Sequence, residues 1–387
     1  MSSPPPSPLP PPFAEPVWVT RPILPPLAAF TERLREVWDA GWLTNFGSQH
    51  QQLEARLREQ LGVPHLALVN NATIGLLLAC RALGLRGEVI TTPFTFPASV
   101  HALDWAGLEP VFCDLDPATL GLDARLLPAL VTPRTSAILA VHVYGVPCDV
   151  AAIDAFARER GLRVIYDAAH AFDVRIDGRG IGSFGDVTAF SFHATKLFHT
   201  AEGGALACGD PALAARLGLL RNFGIADEES VPASGVNGKL SELHAALGLL
   251  VLDGLAEERA ARARVARRYH EGLAGTPLVL PAREHHEGGG LHYFVVRVPA
   301  GRCACSRDEL QRWLRRFRVM ARKYFHPLCS DLPPYAALPS AQAARLPVAQ
   351  ATAAEVLCLP LHGRVSEADA DAIAALVRHA VVAGVPR

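Results

Sequence analysis

A lysine and an aspartate, each placed directly after an apolar run, are the residues of this sequence best suited to covalent chemistry. Lys196 lies in the segment Ser191–Gly204, after the run Val187–Phe192, and a Glu-Gly-Gly turn follows it. Asp167 ends the run Leu162–Tyr166. A lysine among apolar neighbours is destabilised as a cation, and its amine loses that charge when it forms an imine with a carbonyl compound. The lysine therefore predicts a covalent site for a carbonyl compound.

The aspartate adds a second part of the same chemistry. Beside a heteroaromatic ring, its carboxylate would keep a ring nitrogen protonated through a charge-assisted hydrogen bond, and the protonated ring would act as an electron sink. Lys196 and Asp167 together predict a site for pyridoxal phosphate (PLP), with Lys196 as the Schiff base. Two plainer interpretations stay open, in which Lys196 is a surface residue and Asp167 caps the next helix.

Further candidate ligands follow other predicted strands. Asn70–Thr73 follows one strand and opens a helix, where backbone amides and a threonine hydroxyl suit a phosphate, although these residues also make an ordinary turn and N-cap. Phe94 and Phe96 follow the next strand and could stack on a flat ring or pack in the core. Ser191 alternates with phenylalanines on both sides, so it faces away from them and could bind the phosphate.

Hydrophobic periodicity predicts an alternation of strands and helices. The predicted strands are His65–Val69, Glu88–Thr92, Pro110–Cys113, Ser136–Val143, Leu162–Tyr166, Val187–Phe192, Gly204–Cys208 and His292–Val298. The predicted helices are Leu27–Trp38, Gln51–Leu61, Ile74–Leu83, one through His101 to Trp105, Val150–Arg160, a continuous helical segment from Glu242 to about Leu273, Ser306–Phe317 and Ser366–Val382, the last with Ser366 and Asp369 as a capping pair. This alternation predicts an α/β fold with a mostly parallel, helix-covered central sheet, whose ligands bind at the C-terminal ends of the strands.

Three parts are predicted along the 387 residues. Residues 1–16 are rich in proline and serine, so we expect a disordered tail, with a protein-recognition motif as the alternative. Residues 17–250 are expected to form a large cofactor-binding domain, whose helices before the first strand make an N-terminal arm. Residues 251–387 are expected to form a linker helix and a smaller α+β C-terminal domain.

Composition argues against several other classes of protein. A formal net charge of -1 gives no support for nucleic acid or an anionic membrane as a partner. No apolar run is long enough to span a bilayer, and the N-terminus lacks the features of a secretory signal. The eight cysteines are scattered, as expected for reduced thiols. Glu284–Glu287 has metal-binding residue types but runs into three glycines, so we expect a solvated loop and no metal.

Taken together, these motifs resemble those of the DegT/DnrJ/StrS family of sugar aminotransferases, a branch of the fold-type-I PLP enzymes. The resemblance runs from about Arg21 to the C-terminus. Its marks, in chain order, are Leu43–Asn45, Thr73, Pro93–Phe96, Asp114–Asp116, His142–Pro147, Asp167–His170, Ser191–Lys196, Glu202–Gly204, Arg221–Gly224, Gly235–Glu242, Tyr324–Leu328 and Leu359–Leu361.

The resemblance implies a role for each candidate residue. Lys196 would carry PLP, Asp167 would pair with its ring nitrogen, His170 would lie near its ring oxygen, and Phe96 would stack on the ring. His170 stands where many members of the family have Gln. The phosphate would be held by the Ala72 amide, Thr73, Ser191 and Asn237 of the partner subunit, so the resemblance also implies a homodimer with shared active sites.

The activity implied by the resemblance is transamination in two half-reactions. L-glutamate would give its amino group to the cofactor, and a nucleotide-linked keto-sugar would take it up, with Tyr324, His326 and His193 as candidate substrate contacts. The Glu-Gly-Gly run favours a dTDP-4-keto-6-deoxyhexose over a 3-keto sugar, which stays open as an alternative. Lys196 argues against the dehydratase branch, and a non-catalytic, cofactor-sensing regulator is the remaining alternative. We expect a cytoplasmic enzyme of amino-sugar biosynthesis.

Overall fold

A computed structural model of the protein describes residues 9–283, 285 and 289–385. The strands are β1 (Val17–Trp18), β2 (His65–Val69), β3 (Glu88–Thr91), β4 (Glu109–Phe112), β5 (Thr135–Val141), β6 (Arg163–Asp167), β7 (Arg175–Ile176), β8 (Arg179–Gly180), β9 (Val187–Ser191), β10 (Gly204–Cys208), β11 (Phe294–Arg297), β12 (Val319–Met320) and β13 (Val356–Leu359). The α-helices are α1 (Leu27–Ala40), α2 (Ser48–Leu61), α3 (Ala72–Ala82), α4 (Pro97–Trp105), α5 (Val150–Arg160), α6 (Pro211–Leu220), α7 (Glu242–Asp253), α8 (Leu255–Gly272), α9 (Arg307–Arg316), α10 (Pro347–Glu355) and α11 (Glu367–Ala383).

The central sheet has seven strands in the order β2-β10-β9-β6-β5-β3-β4. Strand β10 is antiparallel to both of its neighbours, and the strand pairs from β9 to β4 are parallel. The prediction of a mostly parallel sheet is therefore confirmed. Because β6 and β9 are adjacent and parallel, the residues that follow them emerge at the same edge of the sheet.

Helices cover both faces of this sheet, as the apolar strands require. Alternate residues of β5 and β6 belong to different core clusters: Leu139 and Ile165 pack with α3 and α4, whereas Ile138 and Val164 pack with α5. All four side chains are at most 4% exposed. Burial on both faces explains why these strands lack a polar alternation in the sequence.

The N-terminal helix α2 is tied to the core by a carboxylate from a distant part of the chain. Glu242, at the start of α7, accepts hydrogen bonds from the amides of Gln49 (2.8 Å) and His50 (3.2 Å) in the first turn of α2. Gly47 allows this approach, because a Cβ there would lie 2.6 Å from the Glu242 carboxyl carbon. A carboxylate at a helix N-terminus is favoured by the unpaired amides and the helix dipole. Glu242 is buried and thus works as a long-range cap.

The C-terminal part contains a second core and a link to the N-terminus. Strands β11 and β13 pair in a small antiparallel sheet, packed with α8, α9 and α11. Strand β1 pairs with β12, and the Phe13 amide donates to the Phe317 carbonyl. Residues 325–353 contribute side chains to the core of the central sheet as well. The division of the chain at residue 250 stays a prediction.

Two details of the helices bear on the sequence predictions. The capping pair of Ser366 and Asp369 is present at the start of α11, where each side chain accepts from the other's amide. The continuous helix predicted from Glu242 to Leu273 was wrong, because α7 ends at Asp253 and α8 begins at Leu255. Gly254 separates them, and glycine is among the poorest helix formers.

The Glu242 cap predicts a large effect of one substitution on stability. Glu242→Ala leaves the amides of Gln49 and His50 without their charged acceptor, which should lower the free energy of unfolding by about 2 kcal/mol. The measurement is urea denaturation at one fixed protein concentration. Glu257→Ala, an exposed glutamate at the start of α8, is the matched control and should unfold like the wild type. Equal midpoints for both variants would rule out the capping role.

Candidate active site

Asp167 is the buried acid at the centre of the candidate site. It ends β6 and aligns with Ala189 of β9, and it is 6% exposed. One carboxylate oxygen accepts from the Ser99 hydroxyl at 2.7 Å, and the other accepts from the Ala169 amide at 2.9 Å. Burial raises the pKa of Asp167, whereas these two hydrogen bonds and the positive charge of Lys196 act in the opposite direction. The site therefore pairs desolvation with donors that stabilise the anion.

Ser99 is a site residue that the sequence analysis missed. It lies in the first turn of α4, and its hydroxyl is also 2.9 Å from the Thr95 hydroxyl, so a buried chain of two hydroxyls leads to Asp167. Both hydroxyl residues are at most 2% exposed. The sequence signal was a hydroxyl residue just after the Pro93–Phe96 motif. Contact with an aspartate 68 positions away depends on the order of strands in the sheet.

Lys196 lies in the turn after β9, where its amide donates to the His193 carbonyl at 2.8 Å. Its side chain is partly exposed, at the same edge of the sheet as Asp167. Burial lowers the pKa of Lys196 to about 8, against the opposing attraction of Asp167. The surface-lysine interpretation thus does not describe this residue. Its amine is much closer to neutrality at physiological pH than an ordinary lysine.

His170 lies beside the lysine and the aspartate, enclosed by rings. It is 6% exposed, and within the described residues its Nδ1 atom has no hydrogen-bond partner. The ring is flanked by those of His292, Tyr293 and Phe325 at centroid distances of 5.1, 5.4 and 5.5 Å. Burial and the charge of Lys196 hold the pKa of His170 well below its ordinary value. The imidazole is therefore neutral, with an unpaired polar atom.

The residues predicted to bind phosphate meet at one corner of the sheet. The Asn71 side chain caps α3 by accepting from the Ile74 amide at 2.8 Å. The amides of Ala72 and Thr73 lie in the first turn, before the amides that donate to carbonyls within the helix. Ser191 pairs with Gly204 of β10, and a Cβ at Gly204 would lie only 2.8 Å from the Ala72 nitrogen. Ala72, Thr73 and Ser191 are thus brought together, with donors suited to an anion.

Asn237 lies close to the same corner. Its main-chain carbonyl accepts from the Asn70 side-chain amide at 3.4 Å, and the neighbouring Gly238 carbonyl accepts from the Asn70 amide at 2.8 Å. The residue itself is exposed. Its predicted action across a subunit interface stays a prediction.

The two phenylalanines after β3 differ in their environments. Phe94 is fully buried and makes edge contacts with the rings of Tyr144 and Phe325. Phe96, at the N-terminus of α4, is 57% exposed. The core-packing interpretation therefore holds for Phe94, whereas the ring of Phe96 is open to solvent and its stacking on a flat ligand stays a prediction.

The three candidate substrate contacts are placed differently. Tyr324 belongs to the ring cluster around His170, which includes Tyr293 and Phe325. Its carbonyl accepts from the Tyr144 hydroxyl, and its ring lies 5.5 Å from that of Phe325. His193 is exposed and lies near Lys196 in sequence, with its Nε2 atom 3.6 Å from Glu202. His326 is exposed, and in the described part of the chain it makes no hydrogen bond or ring contact with Lys196, Asp167 or His170.

This set of groups fits PLP, feature by feature. A buried carboxylate suits a pyridine nitrogen, a low-pKa lysine suits an aldehyde, and helix amides with a serine suit a phosphate. The unpartnered Nδ1 atom of His170 is a buried polar group that a ligand could satisfy. Among the described residues no group of three or more histidine, cysteine or acidic side chains could hold a metal. Of the segment Glu284–Glu287, only His285 falls within the described residues.

Comparison with known proteins gives concordant results. The profile of the DegT/DnrJ/EryC1/StrS aminotransferase family matches residues 27–378. A dTDP-4-amino-4,6-dideoxy-D-glucose transaminase of Shigella dysenteriae is 41% identical over 367 residues, covering 94% of this chain and 99% of that protein.

Solved structures agree with the sequence comparison. DesI, crystallised in the presence of its TDP-sugar product, superposes with a TM-score of 0.92 at 40% identity, covering 97% of this chain and 95% of that chain. A Streptococcus pneumoniae protein assigned as a sugar aminotransferase and solved in a PLP-form has a TM-score of 0.85 at 25% identity, covering 94% of this chain and 98% of that chain. The chain therefore belongs to the DegT/DnrJ/EryC1/StrS family and is a PLP-dependent aminotransferase with the fold-type-I architecture.

Proposed function

We propose that this aminotransferase moves the amino group of L-glutamate to a nucleotide-linked keto-sugar, a dTDP-4-keto-6-deoxyhexose, in the biosynthesis of an amino sugar. The observation that carries the chemistry is the buried Asp167 at the end of β6 beside Lys196 after β9. The choice of sugar nucleotide is supported by the Shigella dysenteriae relative, which is named for a 4-amino-4,6-dideoxyglucose attached to dTDP.

We assign the cofactor contacts as follows. Lys196 binds PLP covalently, Asp167 pairs with the ring nitrogen, His170 lies at the ring oxygen and Phe96 stacks on the ring. The phosphate is held by the Ala72 amide, Thr73, Ser191 and Asn237 of the partner subunit. The functional unit in this proposal is a homodimer with shared active sites.

The side chains around the cofactor have different roles in the proposed reaction. When bound, PLP supplies the carbonyl that takes up the amino group and the ring that delocalises the resulting electrons. Asp167, held anionic by Ser99 and Ala169, keeps a proton on the ring nitrogen. The Lys196 amine, with its lowered pKa, would take the proton from the donor's α-carbon and deliver it to the C4′ carbon of the cofactor, acting first as a general base and then as a general acid.

Substrate contacts come from two segments. Tyr324 lies in the ring cluster that includes His170 and is assigned to the sugar nucleotide. His193 is also assigned to the substrate, and it lies in the turn that carries Lys196, with its Nε2 atom 3.6 Å from Glu202. His326 is assigned to the outer part of the substrate, because it is exposed on the same loop as Tyr324.

We also propose that the enzyme works in the cytoplasm. All eight cysteines are free thiols, as in proteins of reducing compartments. None of the helices in the described ranges has the length and apolarity needed to cross a bilayer.

The lowered pKa of Lys196 predicts an unusual pH dependence of its reactivity. In the apoprotein, reductive methylation of Lys196 should reach half of its maximal rate near pH 8, because only the neutral amine reacts and burial shifts deprotonation down from the ordinary value. The chain has only three lysines, so peptide mass spectrometry resolves each of them. Lys323, which lies 2.7 Å from Asp308, is the internal comparison. A Lys196 midpoint above pH 10 would contradict the proposed environment.

The proposed function predicts both colour and product. The purified enzyme should show the visible absorption of bound PLP, and with glutamate it should convert dTDP-4-keto-6-deoxyglucose into a sugar with one amino group, detected by mass spectrometry. Lys196→Ala should lose the visible band and reduce turnover by at least a thousandfold, since it removes both the covalent anchor and the general base.

Two comparisons make this test specific. Lys323→Ala should keep the visible band. The corresponding 3-keto sugar should react poorly. A wild type that stays colourless after incubation with PLP, or one that aminates only the 3-keto sugar, would overturn the proposal.

A further inference from the structure

His170 lies inside a column of stacked rings. The imidazole of His292 is 5.1 Å away with an interplanar angle of 11°, and the ring of Phe325 is 5.5 Å away with an angle of 16°. Tyr293 closes the side with an edge contact at 5.4 Å and 70°. Centroid distances and angles of this kind are those of offset-stacked and T-shaped aromatic pairs. The orientation of the His170 ring is therefore determined by neighbouring rings, since its Nδ1 atom has no hydrogen-bond partner in the described part of the chain.

The rings around His170 all come from the C-terminal part of the chain. His292 and Tyr293 directly precede β11, and Phe325 follows β12. They lie more than a hundred residues from His170 in the sequence, so the column forms only when the C-terminal part packs against the central sheet. The column therefore connects the loop that contains Tyr324 with the edge of the central sheet where Asp167 lies.

The main chain beside His292 is held by a buried arginine. Arg262 of α8 is 0% exposed. It is ion-paired with Glu258 at 2.7 Å, and its Nη1 atom donates to the Leu291 carbonyl at 3.2 Å. A buried cation of this kind is retained only when it is paired and hydrogen-bonded. Its bond to the Leu291 carbonyl therefore anchors the main chain directly before the second imidazole.

The charges around the column keep both imidazoles neutral. The pKa of His292 is held well below its ordinary value by burial, and then by the positive charges of Lys196 and Arg262 nearby. Protonation of His292 would therefore place a third positive charge next to Lys196 and Arg262. A neutral ring stacks without that repulsion.

We propose that His292 is a positioning residue of the active site, whose ring holds the His170 imidazole in the plane in which it meets the ring oxygen of PLP. The inference rests on the proposed cofactor contact of His170. A flat imidazole is held by stacking between rings, whereas a glutamine amide would depend on hydrogen bonds for its orientation.

The test measures the dissociation constant of PLP from the apoprotein, by titration of the visible absorption band. His292→Leu removes the ring and should weaken PLP binding about three- to tenfold. His292→Phe keeps a flat ring without nitrogen atoms and should bind PLP like the wild type. His379→Leu is the matched control, because His379 stacks on Trp313 at 5.9 Å in the C-terminal core, and it should leave PLP binding unchanged.

A double-mutant cycle separates positioning from general support of the fold. If His292 acts through His170, then His292→Leu should cause no further loss of affinity in a His170→Gln background. Thermal melting of each apoprotein reports any effect on folding. The inference would be overturned if His292→Leu bound PLP as tightly as the wild type does. Equal losses of affinity in the Leu and Phe variants, or additive losses in the cycle, would also overturn it. Failure of the wild type to bind PLP would instead count against the proposed function.

Discussion

A carboxylate buried at the end of a parallel strand is the constraint on which the rest of the active site depends. Asp167 is nearly inaccessible, and an isolated charge in that position would take up a proton. The protein opposes this with the Ser99 hydroxyl, the Ala169 amide and the charge of Lys196. The same burial makes the lysine amine easier to deprotonate. In the proposed mechanism, this one pair of residues therefore controls both the electron sink and the proton carrier of the reaction.

The sheet topology makes this pair possible. Strands β6 and β9 are parallel neighbours, so Asp167 and the lysine turn emerge side by side. The antiparallel strand β10 then returns along β9 and brings Gly204 against the start of α3. The two ends of the cofactor would therefore be recognised at positions set by backbone pairing. Side chains of the C-terminal part, including Phe325 and His292, complete the wall around His170.

The N-terminal segment before α1 is hydrogen-bonded to two histidines, one just after Lys196 and one in the C-terminal part of the chain. His199, just after the lysine, shares a hydrogen bond with the Ile23 carbonyl at 2.9 Å, and His362 shares one with the Trp18 carbonyl at 3.1 Å. In each case the Nδ1 atom accepts from the amide two residues further on, so the Nε2 atom carries the proton. The segment before α1 therefore lies between the lysine turn and the C-terminal core, bonded to both.

Local pattern predicted the seven strands of the central sheet, their mostly parallel arrangement, and the positions of Asp167 and Lys196 at the ends of two of them, because buried strands and abrupt polar ends leave a direct trace in the sequence. It did not predict Ser99, the ring column or the Glu242 cap, since each joins residues that are close only after folding. The break at Gly254 was missed because apolar residues continue on both sides of it. Phe94 and Phe96 looked alike in sequence, and only tertiary packing buries one and exposes the other.

In the proposed mechanism, Asp167 keeps the ring nitrogen of the cofactor protonated. Nitrogen-15 NMR of the enzyme loaded with PLP labelled at the pyridine nitrogen tests it most directly. We predict the chemical shift of a protonated pyridinium in the wild type and of an unprotonated pyridine in Asp167→Asn. An unprotonated nitrogen in the wild type, or the same shift in both proteins, would contradict the account.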